Sequence, residues 1–111
     1  MPDLTELHCQ PSRDPGDRLT SRQIAELLPA IHSDWHYTTE QHTISRSFKF
    51  RDYLQTMNFA NAVAWIAQQE DHHPELHISY HQCVIFYTTH SVHGLSINDF
   101  ICAAHIDALL E

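Results

Sequence analysis

Basic side chains are scarce. The 111 residues carry six Lys+Arg against fourteen Asp+Glu, a formal charge of −8, and Lys49 is the sole lysine. Nucleic-acid binders rely on a basic footprint, so direct DNA or RNA binding is disfavoured. No apolar run approaches the roughly 20 residues that span a bilayer, which argues against a membrane protein. The first twenty residues hold Asp3, Glu6, Arg13, Asp14, Asp17 and Arg18 and no signal-peptide core. That pattern argues against secretion and makes the cytoplasm the expected compartment. CxxC spacing is absent, and Cys9, Cys83 and Cys102 are an odd set, which argues against a disulfide framework. Cys83 in an apolar run and Cys102 on an apolar helix face read as buried thiols. Histidine, by contrast, is abundant. Protonating all eleven would carry the formal charge from −8 to +3, so the surface should respond to pH near the histidine pKa of about 6.5.

Length and a 42% hydrophobic content suit one domain with one core. Residues 1–19, with Pro2, Pro11, Pro15 and Gly16 and no periodicity, read as a mobile arm holding an isolated Cys9; residues 20–111 read as the domain. Thr20 with Gln23 predicts a capping box opening a helix over about 21–31, strained late by Pro29. Trp35–Thr39 and Ile44–Phe50 predict a hairpin, with Ile44, Phe48 and Phe50 on one face and Ser45, Ser47 and Lys49 on the other. Asp52–Gln69 predicts a long amphipathic helix with Tyr53, Met57, Ala60, Ala64 and Ala67 down one stripe, widened by Leu54, Val63 and Ile66. Pro74 must stop that helix near Asp71. Leu76–Tyr80 and Cys83–His90 predict a second hairpin, the latter a central strand. Ser96 with Asp99 caps a last helix through Leu110, with Ile97, Phe100, Ile101, Ala104, Ala108 and Leu109 inward. The expected fold is α+β, order α-β-β-α-β-β-α: a four-stranded antiparallel sheet with three helices packed on one face. Trp35, Phe48, Phe50, Trp65 and Phe86 read as core, and His8, His32, His36, His42, His93 and His105 as solvated.

The informative segment is Glu70-Asp71-His72-His73-Pro74-Glu75, where helix gives way to strand. Helix C-terminal carbonyls and three carboxylates favour protonated imidazole there. Thr88-Thr89-His90 ends the following strand, and a hairpin returns it beside the histidine pair. Imidazoles ringed by hydroxyls at the mouth of a sheet suit general acid–base work without a nucleophile.

With Tyr80, Gly94-Leu95-Ser96 and Asn98-Asp99-Phe100 added, these residues resemble the pterin-4a-carbinolamine dehydratase family. The Thr20–Leu28 helix, the Trp35 strand and Phe48–Asp52 extend the resemblance over about residues 20–107. The resemblance implies removal of water from 4a-hydroxytetrahydropterin, the product of aromatic amino-acid hydroxylases, to give quinonoid dihydropterin. It implies no metal and no organic cofactor, a pterin substrate, a hydroxylase in the same pathway and a homo-oligomer, dimer or tetramer. Carried over, His72, His73 and His90 are the catalytic and pterin-contacting positions, and Asp71, Thr88 and Thr89 line the pocket. His72 and His90 are the favoured acid–base pair, with His73 orienting the ring. Gln68 stands where animal members carry a glutamate, so Glu70 or Asp71 would have to supply a carboxylate to hold an imidazole. Leu76 replaces an aromatic residue of the animal members.

Two other functions compete with this reading. Animal relatives also serve as dimerisation partners of a homeodomain transcription factor, but Asn98-Asp99-Phe100-Ile101 looks bacterial. His73, His77 and His81 recur every four residues, as zinc ligands on one helix face would. Pro74 and the alternation over 76–80 defeat that helix, and the glutamate is misplaced for an HExxH motif.

Overall fold

The computed structural model describes residues 3–12 and 14–110. Helix α1 (Ser21–Leu27) opens on the expected box: the Gln23 amide donates to Thr20 Oγ1 at 3.2 Å, and the Thr20 amide to Gln23 Oε1 at 2.9 Å. It ends earlier than the expected 31. Pro29 has no amide hydrogen to continue the ladder, and Leu28–Ala30 tighten into a 3-10 turn instead.

Strands β1 (His36–Thr38), β2 (Thr43–Lys49), β3 (Glu75–Ser79) and β4 (Gln82–Tyr87) form one antiparallel sheet, ordered β1-β2-β4-β3. The two hairpins therefore join through β2 and β4, with Ile44 opposite Tyr87 and Phe48 opposite Cys83. Side chains alternate between faces. Ile44, Phe48, Cys83, Ile85 and Tyr87 are buried beneath the helices, in one cluster with Ile24, Val63 and Phe100. The opposite face, with Ser45, Ser47, Val84, Phe86 and His77, is half-buried or exposed. β4 is central as expected. Arg46 is an unforeseen polar member of the core face. Its Nη1 lies 2.6 Å from Asp107 Oδ1 and its Cζ 4.3 Å from the centre of the Phe48 ring, and Trp35 Nε1 donates to the same carboxylate oxygen at 2.8 Å.

Helix α2 (Tyr53–Glu70) buries Thr56, Phe59, Ala60, Val63, Ile66 and Ala67. The expected stripe was turned on the helix axis: Tyr53, Leu54 and Ala64 face outward, and so does Trp65, 65% exposed rather than core. Thr56 accounts for part of the turn, because its hydroxyl bonds the Asp52 carbonyl at 2.8 Å and the Tyr80 carbonyl at 3.2 Å. That pulls Thr56, and Phe59 and Val63 with it, toward the sheet.

Helix α3 (Ile97–Ala108) is buried far more widely than one stripe: Asn98, Asp99, Cys102 and Ala103 are inside along with Phe100 and Ile101. The N-terminal segment explains this. The segment read as an arm lies along α3, with Leu4 buried, the Leu7 carbonyl 2.9 Å from His105 Nε2, and the Gln10 carbonyl accepting from Asn98 Nδ2 at 2.6 Å. Cys9 is not isolated: its Sγ lies 3.6 Å from that of buried Cys102. Composition hides this docking because the anchoring groups are single leucines and backbone amides rather than a periodic pattern. Among the described residues, no helix is long and apolar enough to cross a membrane.

Candidate active site

Helix α2 ends in a Schellman motif: Asp71 adopts the left-handed conformation at φ 51°, its amide reaches the Gln68 carbonyl, and the His72 amide reaches the Ala67 carbonyl at 3.1 Å. Asp has a short polar side chain that tolerates this geometry. The chain then runs extended through Pro74 into β3, so consecutive side chains point to opposite faces of the sheet. That alternation separates the two histidines. His73, Glu75 and His77 look onto the open face; His72 looks into the core.

The same parity acts on β4 and β2. Phe86 lies opposite both Glu75 and Ser45, and continuing each register sets Thr88 across from His73 and from Thr43. A cleft of about 760 Å³ results at this end of the open face, lined by Gln41, Thr43, His73, Pro74, Glu75, His77, Phe86, Thr88 and His90. That volume is within the range of small-molecule sites. The rings of His77 and Phe86 lie 4.6 Å apart and form its least polar wall. The Thr88 hydroxyl donates to the His42 carbonyl at 2.6 Å, which leaves its lone pairs as acceptors. Phe86, expected in the core, is instead a wall of this cleft.

His72, Asp71 and Thr89 line a separate hollow of about 250 Å³ behind the sheet. The His72 ring stacks on Tyr87 at 5.3 Å, and its Nε2 lies 2.6 Å from Asp99 Oδ1. Burial disfavours the charged ring, but the hydrogen bond and charge of Asp99 outweigh it, and the His72 pKa is raised above its ordinary value. Asp99 is wholly buried; its Oδ2 accepts from Thr89 Oγ1 at 2.8 Å and from the Ser96 amide at 3.0 Å. The carboxylate that holds an imidazole is thus Asp99. Neither Glu70 nor Asp71 holds the His72 ring, because Asp71 is turned out by its backbone and Glu70 is engaged elsewhere, by the Cys9 amide at 2.7 Å and the His8 imidazole at 2.8 Å.

Of the six expected site residues, the structure gathers His73, Thr88 and His90 in one cleft and His72, Asp71 and Thr89 in another. The pairing of His72 with His90 is not the one the cleft brings together; His73 with His90 is. Gln41, Thr43, His77 and Phe86 were missed; period-two counting from His73 and Thr88 reaches His77 and Phe86, whereas Gln41 and Thr43 enter the cleft only through the pairing of β2 with β4. Among the described residues, the group with metal-ligand spacing is His8, Glu70 and His105, outside the cleft; His73, His77 and His81 form none.

A family model described as pterin 4 alpha carbinolamine dehydratase matches residues 17–109. A Legionella pneumophila relative, provisionally named pterin-4-alpha-carbinolamine dehydratase, is 45% identical over 108 residues, 97% of this chain and 96% of its own. A Stenotrophomonas maltophilia protein with the same provisional name is 46% identical over 97% of this chain and 92% of its own. The crystal structure of a Brucella melitensis protein titled transcriptional coactivator/pterin dehydratase superposes with a TM-score of 0.79 at 32% identity, covering 85% of this chain and 99% of that one. A pterin dehydratase-like protein described as a RuBisCO assembly factor of the alpha-carboxysome shares the fold, with a TM-score of 0.61 at 23% identity over 70% of this chain and 90% of its own.

Proposed function

Since the chain belongs to the pterin-4a-carbinolamine dehydratase family, we propose that it removes water from a 4a-hydroxytetrahydropterin in the cleft on the open sheet face. The observation that carries this reading is the convergence of His73, Thr88 and His90 on one cleft large enough for a bicyclic heterocycle. The reaction breaks the C4a–O bond and the N5–H bond and forms the C4a=N5 double bond, releasing water. One proton must reach the departing hydroxyl and one must leave nitrogen. His73 and His90, on neighbouring chain segments of the same face, supply those two transfers. Each such transfer is worth about 10²–10⁴ in rate. Phe86 and His77 offer the flat ring a stacking wall, and Thr88 and Gln41 offer polar contacts to its edge.

His72 acts from behind as a positioning residue. Its ring is fixed by Asp99 and its carbonyl accepts from the Tyr87 hydroxyl at 3.2 Å, so the backbone that carries His73 is pinned on two sides. Asp71 and Thr89 belong to the same support, Asp71 through its left-handed turn and Thr89 through Asp99. In the cell, the enzyme would act in the cytoplasm downstream of a pterin-dependent hydroxylase. Self-association belongs to the same reading, because Tyr53, Leu54, Trp65 and Tyr80 leave large apolar side chains in solvent.

The test is ultraviolet spectroscopy of freshly generated 4a-hydroxytetrahydropterin. Quinonoid dihydropterin should form faster with protein than without it. Equal rates would end the dehydratase reading.

A further inference from the structure

We propose that His8, Glu70 and His105 form a binding site for a divalent transition metal of the zinc type, which fastens the N-terminal segment to the ends of the two long helices. One ligand atom from each of the three side chains falls within 4.8 Å of the others. A tetrahedral zinc site with bonds of about 2.0–2.2 Å needs its ligand atoms roughly 3.4 Å apart. His8 Nδ1 and Glu70 Oε2 stand 2.8 Å apart. Small side-chain shifts therefore suffice. The two imidazoles are borderline nitrogen donors that calcium and magnesium bind poorly, and two imidazoles with one carboxylate make a set that suits zinc.

The surroundings complete the case. Metal sites are held by partners behind the ligands. Here the Cys9 amide donates to Glu70 Oε1 at 2.7 Å and leaves Oε2 facing His8. The His105 Nε2 hydrogen points at the Leu7 carbonyl 2.9 Å away, which puts the ring's lone pair on Nδ1. The Glu70 side chain is 7% exposed and that of His8 72%, so the site has a closed floor and an open side where water could complete the coordination. The three ligands come from three segments: the N-terminal stretch, the end of α2 and the last turns of α3. This site lies outside the cleft, and its existence does not depend on the dehydratase reading.

The experiment is zinc titration of the metal-stripped full chain by calorimetry, with the melting temperature followed in parallel. The expected result is one zinc per chain with saturable binding in the micromolar range or tighter, and a melting temperature that rises with zinc. His8→Ala, His105→Ala and Glu70→Gln should each weaken binding by more than about tenfold, the scale on which even outer partners of a metal act. Glu70→Gln keeps the side chain's shape, so its folding, checked by circular dichroism, guards against a trivial loss. Cys9→Ser, which keeps the amide and removes the thiol, and His77→Ala should bind as wild type does. Absence of saturable binding overturns the proposal. So does binding that survives His8→Ala and His105→Ala but fails in Cys9→Ser or His77→Ala.

Discussion

Asp99 is a fully buried carboxylate that takes hydrogen bonds from His72, Thr89 and the Ser96 amide, and so ties the end of α2, the end of β4 and the start of α3 to one point. Removing one partner of a buried pair leaves an uncompensated charge, at a cost of about 3–5 kcal/mol. His72→Ala should lie at the low end, about 3 kcal/mol by urea unfolding, because Thr89 and Ser96 still serve the carboxylate. The pH dependence has a definite sign. A histidine whose pKa is raised on folding contributes its full stability below its unfolded value of about 6.5 and loses it as pH climbs through the higher folded value. The stability gap between wild type and His72→Gln should therefore be larger at about pH 6 than at about pH 9. A gap that widens with pH would mean that His72 is not paired as a cation.

The positions of the strands decide which residues work together. Period-two alternation sends His73, Phe86, Thr88 and His90 to the open face, and His72, Tyr87 and Thr89 to the covered one. Both capping boxes, the hairpins and the stop before Pro74 were legible in the sequence, because each depends on residues a few positions apart. The partner of the His72 imidazole was not, since Asp99 lies 27 positions away and reaches it only through the packing of α3. The same limit hid Arg46 with Asp107, whose charges meet across 61 positions. If Phe86 is a wall for a flat heterocycle, Phe86→Ala should raise KM by about tenfold with little change in kcat, the mark of lost ground-state and transition-state binding alike. An unchanged KM would remove Phe86 from the site. At the α2 terminus, Asp71→Gly should keep the fold, whereas Asp71→Val, forced into a left-handed turn, should cost about 1–2 kcal/mol in thermal or urea unfolding.

At the scale of the molecule, two surfaces carry consequences. The N-terminal segment closes the outer side of α3, and Leu4 is its deepest residue at 3% exposure. Leu4→Ala should cost about 2–4 kcal/mol, as in a core and unlike a tail, where substitutions stay within about 0.5 kcal/mol. The exposed Tyr53, Leu54, Trp65 and Tyr80 should be covered in solution by a second copy. Light scattering is expected to give a multiple of the 12.9 kDa chain, and a monomer mass would contradict that. The charge pattern adds a condition to any such measurement. The net charge changes sign if all eleven histidines protonate, so association should be measured on both sides of neutrality.

The most direct test of the whole account is the rate of quinonoid dihydropterin formation with His73→Ala and His90→Ala, each against wild type. Each substitution should lower kcat by about 10²-fold or more, with melting temperatures unchanged because both side chains are exposed. Full wild-type turnover in both variants would contradict it.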